Sequence, residues 1–212
     1  MKKLFLLFLA GLVLQSCKSS YLNQSTNVSG QKKQYDKILV VSRTSDITTR
    51  ISSEKSIVSA LSQNGINAEA SSNVIETKTF ITKPTVDELN EMVTRLIEQG
   101  YNGVIITNLI DSSEYTDVIP GNSVGYGAMP VRYGRFGRYY GAYPISTWEP
   151  DRISTGVQYI LESCLYDLRT KSGDNLQWVG RFKIKDPSNL SKTTDNYSRE
   201  LSEALIENSI SK

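Results

Sequence analysis

The chain has no histidine. That absence excludes Ser-His-Asp and Cys-His catalysis, histidine-ligated zinc and pH switching through imidazole. Cysteine is almost as scarce, with Cys17 and Cys164 the two in 212 residues, so a disulfide scaffold is excluded as well. No apolar run approaches the roughly 18 residues of a membrane-spanning helix. Nor does the turn Ser42-Arg43-Thr44-Ser45-Asp46, which follows a strand-like run, contain glycine. It matches neither G-x-G-x-x-G nor the P-loop, and the backbone cradle of a nucleotide site is missing.

What is present begins at the N-terminus. Met1-Lys2-Lys3 precedes an eleven-residue apolar run, Leu4 to Leu14, closed by Gln15-Ser16-Cys17. A charged start, a short apolar core and small residues before a cleavage point make a secretory signal. Leu14-Gln15-Ser16-Cys17 resembles the lipobox of bacterial lipoproteins, with Leu14 and Ser16 as cleavage-site recognition residues and Cys17 as the lipidation site. The resemblance implies a cysteine that is diacylated, becomes the new N-terminus and is acylated again. An ordinary leader cut near Ser16 is the competing reading; residue type, spacing and run length together favour the lipobox. Acyl chains contribute about 0.8 kcal/mol per buried methylene, so three of them anchor firmly without spanning.

Cleavage alters the charge balance. The full chain carries 24 Lys+Arg against 22 Asp+Glu, but Lys2 and Lys3 leave with residues 1–16, which contain no acid. The mature chain is formally neutral, and nucleic-acid binding loses its electrostatic motive. With Cys17 acylated, Cys164 has no disulfide partner in the chain. It is expected as a small half-buried side chain in the strand-like run Gln158 to Leu168, with a reactive thiol as the alternative.

The expected organisation has three parts: a signal peptide at 1–16, a lipidated N-terminus and flexible tether at 17–36, and one periplasmic domain at 37–212. Lys18 to Asp36 is polar and without apolar period, which reads as a coil holding the domain roughly 25 Å from the membrane. Lys18 stands where lipoproteins retained at the inner membrane of enteric bacteria have aspartate, and the stretch lacks an acidic export cluster. That resemblance implies the periplasmic face of the outer membrane.

The domain opens with Ile38-Leu39-Val40-Val41, a strand buried on both faces. A helix follows with Ile47, Ile51, Val58 and Leu61 near one face, ending at Gly65. Ile66 to Ala70 is a weaker strand. Thr85 and Glu88 then form a capping-box pattern ahead of Leu89, Met92, Val93, Leu96 and Ile97, which share one helical face up to Gly100. Gly103 to Thr107 is a third strand. Val157 to Leu168 and Leu176 to Ile184 form a hairpin, with Trp178, Gly180, Phe182 and Ile184 on one face, expected to pack against a helix. A last helix covers about Thr193 to Ser209 with Tyr197, Leu201, Ala204, Leu205 and Asn208 on one face. The fold class is α+β with an α/β-like start: β-α-β-α-β, a long loop, a β-hairpin and a C-terminal helix, in two layers on a mixed sheet.

Residues 111–153 are expected as a long mobile loop. Its centre, Gly121 to Pro144, holds six glycines, no acid, and the aromatic and basic side chains Tyr126, Arg132, Tyr133, Arg135, Phe136, Arg138, Tyr139, Tyr140 and Tyr143. Mobile backbone, amphipathic rings and planar donors suit recognition of an anionic or carbohydrate-containing envelope component, or of an acidic protein. A bland low-complexity insertion is the alternative. Asp111, Glu114 and Asp117 could do carboxylate chemistry without histidine, but acids so spaced in a loop are usually solvated, and they lack the calcium-loop pattern D-x-D-x-D-G. No cofactor or metal site is expected.

Leu165-Tyr166-Asp167-Leu168-Arg169-Thr170 leading to Leu176-Gln177-Trp178-Val179-Gly180 resembles, over roughly residues 37 to 210, a group of bacterial envelope lipoproteins of unknown function. In these a Leu-Tyr-Asp segment, a turn and a Leu-x-Trp-x-Gly strand close the domain. The resemblance implies no catalytic residues. The expected function is a non-enzymatic accessory or adaptor lipoprotein of the envelope. Its expected partners are the membrane through its acyl chains and peptidoglycan, lipopolysaccharide or an envelope protein. The alternatives are a carboxylate hydrolase or a self-associating structural lipoprotein.

Overall fold

The computed structural model describes residues 20–44, 46–75, 85–119, 152–170, 175–187 and 189–211. In chain order the elements are β1 (Leu22–Asn27), β2 (Ile38–Arg43), α1 (Ile47–Gln63), β3 (Ala68–Ala70), a single 3-10 turn (Ser71–Asn73), α2 (Val86–Glu98), β4 (Gly103–Ile119), β5 (Arg152–Asp167), β6 (Leu176–Lys185) and α3 (Leu190–Asn208). The strands form one mixed sheet in the order β1-β6-β5-β4-β2-β3. β2 runs parallel to both β3 and β4, with Ile38 opposite Ala68 and Gly103. Each parallel pairing follows a helical crossover, as the alternating pattern requires.

Alternation along the strands sorts side chains to two faces. Ile38 and Val40 of β2, Ile105, Leu165, Trp178, Phe182 and Ile184 join Ile57 and Leu61 of α1 and Tyr197, Leu201, Ala204 and Leu205 of α3 in the main core. Leu39, Val41 and Val104 face the other way and meet Leu96 of α2, Tyr101 and Leu168 in a smaller cluster. The α+β expectation with its C-terminal helix therefore holds, and the Trp178 face packs against α3 as expected. Phe182 and Tyr197 meet edge to face, centroids 4.9 Å apart.

The hairpin motif has a steric reason. The indole of Trp178 lies against Gly180, where an added Cβ would fall 2.1 Å from the ring. Only glycine lets the ring fold over its own strand, and Nε1–H of Trp178 then donates to Ser25 Oγ of β1 at 3.0 Å. Leu-Tyr-Asp has a reason too. Asp167 accepts from Lys33 Nζ and from Arg169 Nε, each at 3.0 Å, while Arg169 also reaches Gln34 O. The carboxylate thus ties the chain ahead of β2 to the end of β5.

These contacts correct the tether. Residues 20–36 are part of the fold: β1 pairs antiparallel with β6, Leu22 opposite Phe182 and Asn27 opposite Trp178. Lys33 bridges to Ile210, and Tyr35 is buried in the main core. β1 escapes a hydropathy reading because its sequence is Leu-Asn-Gln-Ser-Thr-Asn. An edge strand is held by backbone bonds, and polar side chains there discourage further pairing.

Three smaller corrections follow. In α1, Ile47 and Ile51 are exposed, and the buried stripe is Arg50, Glu54, Ile57 and Leu61. Arg50 and Glu54 pair at 3.2 Å, and Glu54 also accepts from Ser42 N, Ser71 Oγ and Ser72 N. In α2 the Thr85–Glu88 capping box forms as expected, but Leu89, Val93 and Ile97 of its apolar face are exposed, leaving Leu96 as the buried contact. Finally, the flanks of the expected loop are strand: β4 continues to Ile119 and β5 begins at Arg152. The chain divides into two compact units, Met1–Ser112 with Tyr159–Lys212 and Ser113–Gln158. In the second, Gln158 Nε2 donates to Ser113 Oγ across the two strands at 3.0 Å.

Two outcomes are expected from these contacts. Gly180→Ala must displace the Trp178 ring and should cost about 1–3 kcal/mol in urea unfolding. Burial alone would raise the Asp167 carboxyl, but the hydrogen bonds from Arg169 and Lys33 together hold it below the usual carboxylate range. A depressed folded pKa stabilises above the unfolded value and is lost as the pH falls through it. The urea midpoint should therefore drop between about pH 5 and pH 3, and Asp167→Asn should start lower at neutral pH and fall less steeply.

Candidate functional site

Ser42 and Arg43 end β2, and the turn after them leads into α1, which Asp46 caps by accepting from Thr48 N and Thr49 N. Thr107 and Leu109 lie on β4, parallel to β2, and Ile184 ends β6 just before Pro187 and Leu190 open α3. These ends converge on one crevice of about 340 Å³ between the sheet and the first turns of α1 and α3. It lies within the size range of small-molecule pockets and outside the carboxyl ends of the parallel strands, where open α/β sheets hold ligands.

Two of its lining residues, Thr107 and Tyr197, join Ser163 in a triangle of buried hydroxyls. Tyr197 OH lies 2.6 Å from Ser163 Oγ and 2.9 Å from Thr107 Oγ1, which in turn is 3.0 Å from Ser163 Oγ. Each hydroxyl has one proton to give, so the three bonds close on themselves. Burial pushes the Tyr197 phenol up to about 12, more than the bonds from Ser163 and Thr107 lower it. It stays protonated at physiological pH and serves as neither base nor nucleophile.

Around that triangle, Leu109, Tyr159, Leu161, Ile184 and Leu190 form the walls. Several of the hydroxyl-bearing lining residues are already engaged: Thr194 Oγ1 donates to Leu190 O, Ser53 Oγ to Arg50 O, and Thr49 Oγ1 to Asp46. Ser42 is the exception, buried with Oγ unpartnered. Among the described residues, Arg43 is the one charged lining residue and no carboxylate lines the crevice. The glycine-free turn that rules out a phosphate cradle is one lip of this cavity. Glu54, bonded to Ser42 N, holds that lip from behind.

The residues singled out from sequence are placed differently. Leu14, Ser16 and Cys17 lie outside the described residues, as do Tyr126, Arg132, Tyr133, Arg135, Phe136, Arg138, Tyr139, Tyr140 and Tyr143. Asp111, Glu114 and Asp117 are on β4 rather than in a loop. Three-residue spacing along a strand puts successive members on alternate faces, which gives paired-acid chemistry no support. Cys164 is half-buried on β5, its thiol pushed up mainly by burial. Among the described residues no group of three His, Cys, Asp or Glu could hold a metal, and no helix is long and apolar enough to cross a membrane.

The cavity itself is not visible in the sequence, because its described lining comes from six elements spread between Ser42 and Tyr197. The one local signal is the density of hydroxyls at the start of α1 and α3, Thr44, Thr48, Thr49, Thr193 and Thr194.

Fold and crevice together define an α+β domain of three helices on one six-stranded mixed sheet, with a ligand-sized, largely apolar cavity at one sheet end. No protein-family model matches the chain, and no curated protein matches it. Among solved structures it is similar to the PelC dodecamer from Paraburkholderia phytofirmans, at 10% identity over 89% of this chain and 97% of that one, with a TM-score of 0.44. A point variant of the same PelC dodecamer matches at 14% identity over 85% and 96%, also with a TM-score of 0.44. At those values the likeness carries no functional argument.

Proposed function

We propose that this chain is a lipid-anchored envelope lipoprotein, held at the periplasmic face of the outer membrane by acyl chains on Cys17, and acting as a non-enzymatic binding or adaptor component. The observation that carries this reading is the junction between lipobox and fold. The proposed signal covers residues 1–16, with Cys17 the proposed lipidation site, and the described fold begins at Ser20, with Ser20 Oγ, Tyr21 N and Leu22 N all bonded to Glu200 of α3 at 2.7–3.0 Å. Among the described residues, the N-terminal contacts that build the fold begin at Ser20, downstream of the proposed lipidation site.

This junction also shortens the anchor. Two residues, Lys18 and Ser19, separate Cys17 from Ser20, a reach of about 10 Å at full extension over three Cα steps, against the roughly 25 Å of a free nineteen-residue coil. The domain rests close to the leaflet. Its partner-facing chemistry is assigned to the Gly/Tyr/Arg segment 121–144, for peptidoglycan, lipopolysaccharide or an envelope protein. A hydrolase is disfavoured because the three candidate acids alternate across β4.

Two experiments test this reading. Cys17→Ser should abolish incorporation of labelled palmitate and shift the protein out of the membrane fraction; an unacylated native N-terminus in mass spectrometry overturns the anchor. Replacing Arg132, Arg135 and Arg138 with serine should weaken retention on the envelope component several-fold; unchanged retention on peptidoglycan, lipopolysaccharide and crosslinked envelope proteins removes the segment from that role.

A further inference from the structure

We infer that the crevice between β2, β4 and the first turns of α1 and α3 receives the acyl chain of an anionic amphiphile drawn from the membrane leaflet. The inference deepens the lipoprotein reading and takes from it the source of the ligand.

Chemistry of the lining selects the ligand class. A sugar needs many free donors and acceptors, but the hydroxyls of Thr107, Ser163 and Tyr197 satisfy one another, and those of Thr194, Ser53 and Thr49 are committed to their own helices. What the cavity offers is aliphatic and aromatic wall. An alkyl chain gains about 0.8 kcal/mol for each methylene it hides from water. At the mouth, Leu109 and Leu190 stay roughly half exposed, at 52% and 54%, as apolar lips.

The polar end is set by charge. Arg43 is exposed at the rim, with no carboxylate among the described lining residues to compete for it. The N-termini of α1 and α3 are already capped by Asp46 and Asn189, so Arg43 supplies the cationic contact, suited to a carboxylate or phosphate. Ser42 Oγ, buried and unpartnered beside it, can donate to a ligand oxygen passing the lip.

Topology supplies the source. β1 starts beside the end of β6, where Lys183 N donates to Tyr21 O at 2.7 Å. The next residue, Ile184, lines the crevice, as do Pro187 and Leu190 beyond it. The cavity therefore lies at the same end of the sheet as the first described residues after Cys17. An anchor that holds Ser20 near the leaflet holds the crevice near it as well.

The test uses the mature chain carrying Cys17→Ser, exported on an unrelated cleavable leader, which retains every residue of the described fold. The probe is cis-parinaric acid, a fluorescent carboxylate with an 18-carbon chain. Saturable one-to-one binding is expected, displaced by lysophosphatidylglycerol. Leu109→Trp and Leu190→Asp, both at exposed lip positions, should each weaken binding at least about tenfold. Arg43→Gln should weaken binding of the acid several-fold while leaving displacement by neutral oleyl alcohol unchanged. Absence of saturable binding, or binding untouched by both lip variants with unfolding midpoints intact, overturns the inference. It is also overturned if the acylated protein in amphipol refuses the probe, since the occupant would then be its own N-terminal chain. The lipoprotein reading fails separately, if mass spectrometry finds Cys17 unmodified, and that result leaves the probe measurement on the variant standing.

Discussion

The indole of Trp178 folded over Gly180, with its N–H given to Ser25, is the contact on which the sheet depends. It places a large aromatic surface at the centre of the main core, and burial of such a side chain contributes about 1.5–3 kcal/mol. It also leaves one polar atom that must find a partner in the interior, and β1 provides it. The same ring therefore recruits helix α3 on one side and a polar edge strand on the other. Asp167 repeats the device with charge: a carboxylate at the end of β5 gathers Lys33, Arg169 and, through Arg169, the backbone at Gln34. Two side chains thus bind the first described segment to the last third of the chain.

Much of the fold was legible because its signals are local. The run Ile38 to Val41, the Thr85–Glu88 box, the alternation from Leu176 to Ile184 and the 3.6-residue stripe of Tyr197, Leu201 and Leu205 each report their own element. What escaped was decided elsewhere in the chain. β1 has no apolar pattern because its partner is backbone. The buried face of α1 was misassigned because Arg50 and Glu54, which look like a surface pair, are neutralised and hydrogen-bonded by Ser42, Ser71 and Ser72. The strongest amphipathic signal, in α2, yielded the least burial, since periodicity reports that a helix has an apolar face and not that anything covers it.

The candidate site was less legible than the fold, and for a related reason. The lipobox reading of residues 14–17 is an expectation carried by residue type in a fixed order, which is why sequence alone could raise it. A cavity is read by shape. Its hydroxyl triangle needs Thr107, Ser163 and Tyr197 to meet, and their hydroxyls have no mark in the sequence that distinguishes them from surface ones. The Ser42-to-Asp46 turn was informative in a negative sense, through its missing glycines, and its positive part in shaping the crevice depends on β4 and α3 arriving beside it.

The pairing of the first strand with the last has a temporal side. In a chain made from its N-terminus, Leu22 to Asn27 finds no mate until Leu176 to Lys185 has also been made, about 150 residues later by the register of the two strands. Until then neither Trp178 nor Glu200 is present to fasten Ser20 to Asn27. The order of synthesis therefore makes this edge one of the last parts of the sheet to close.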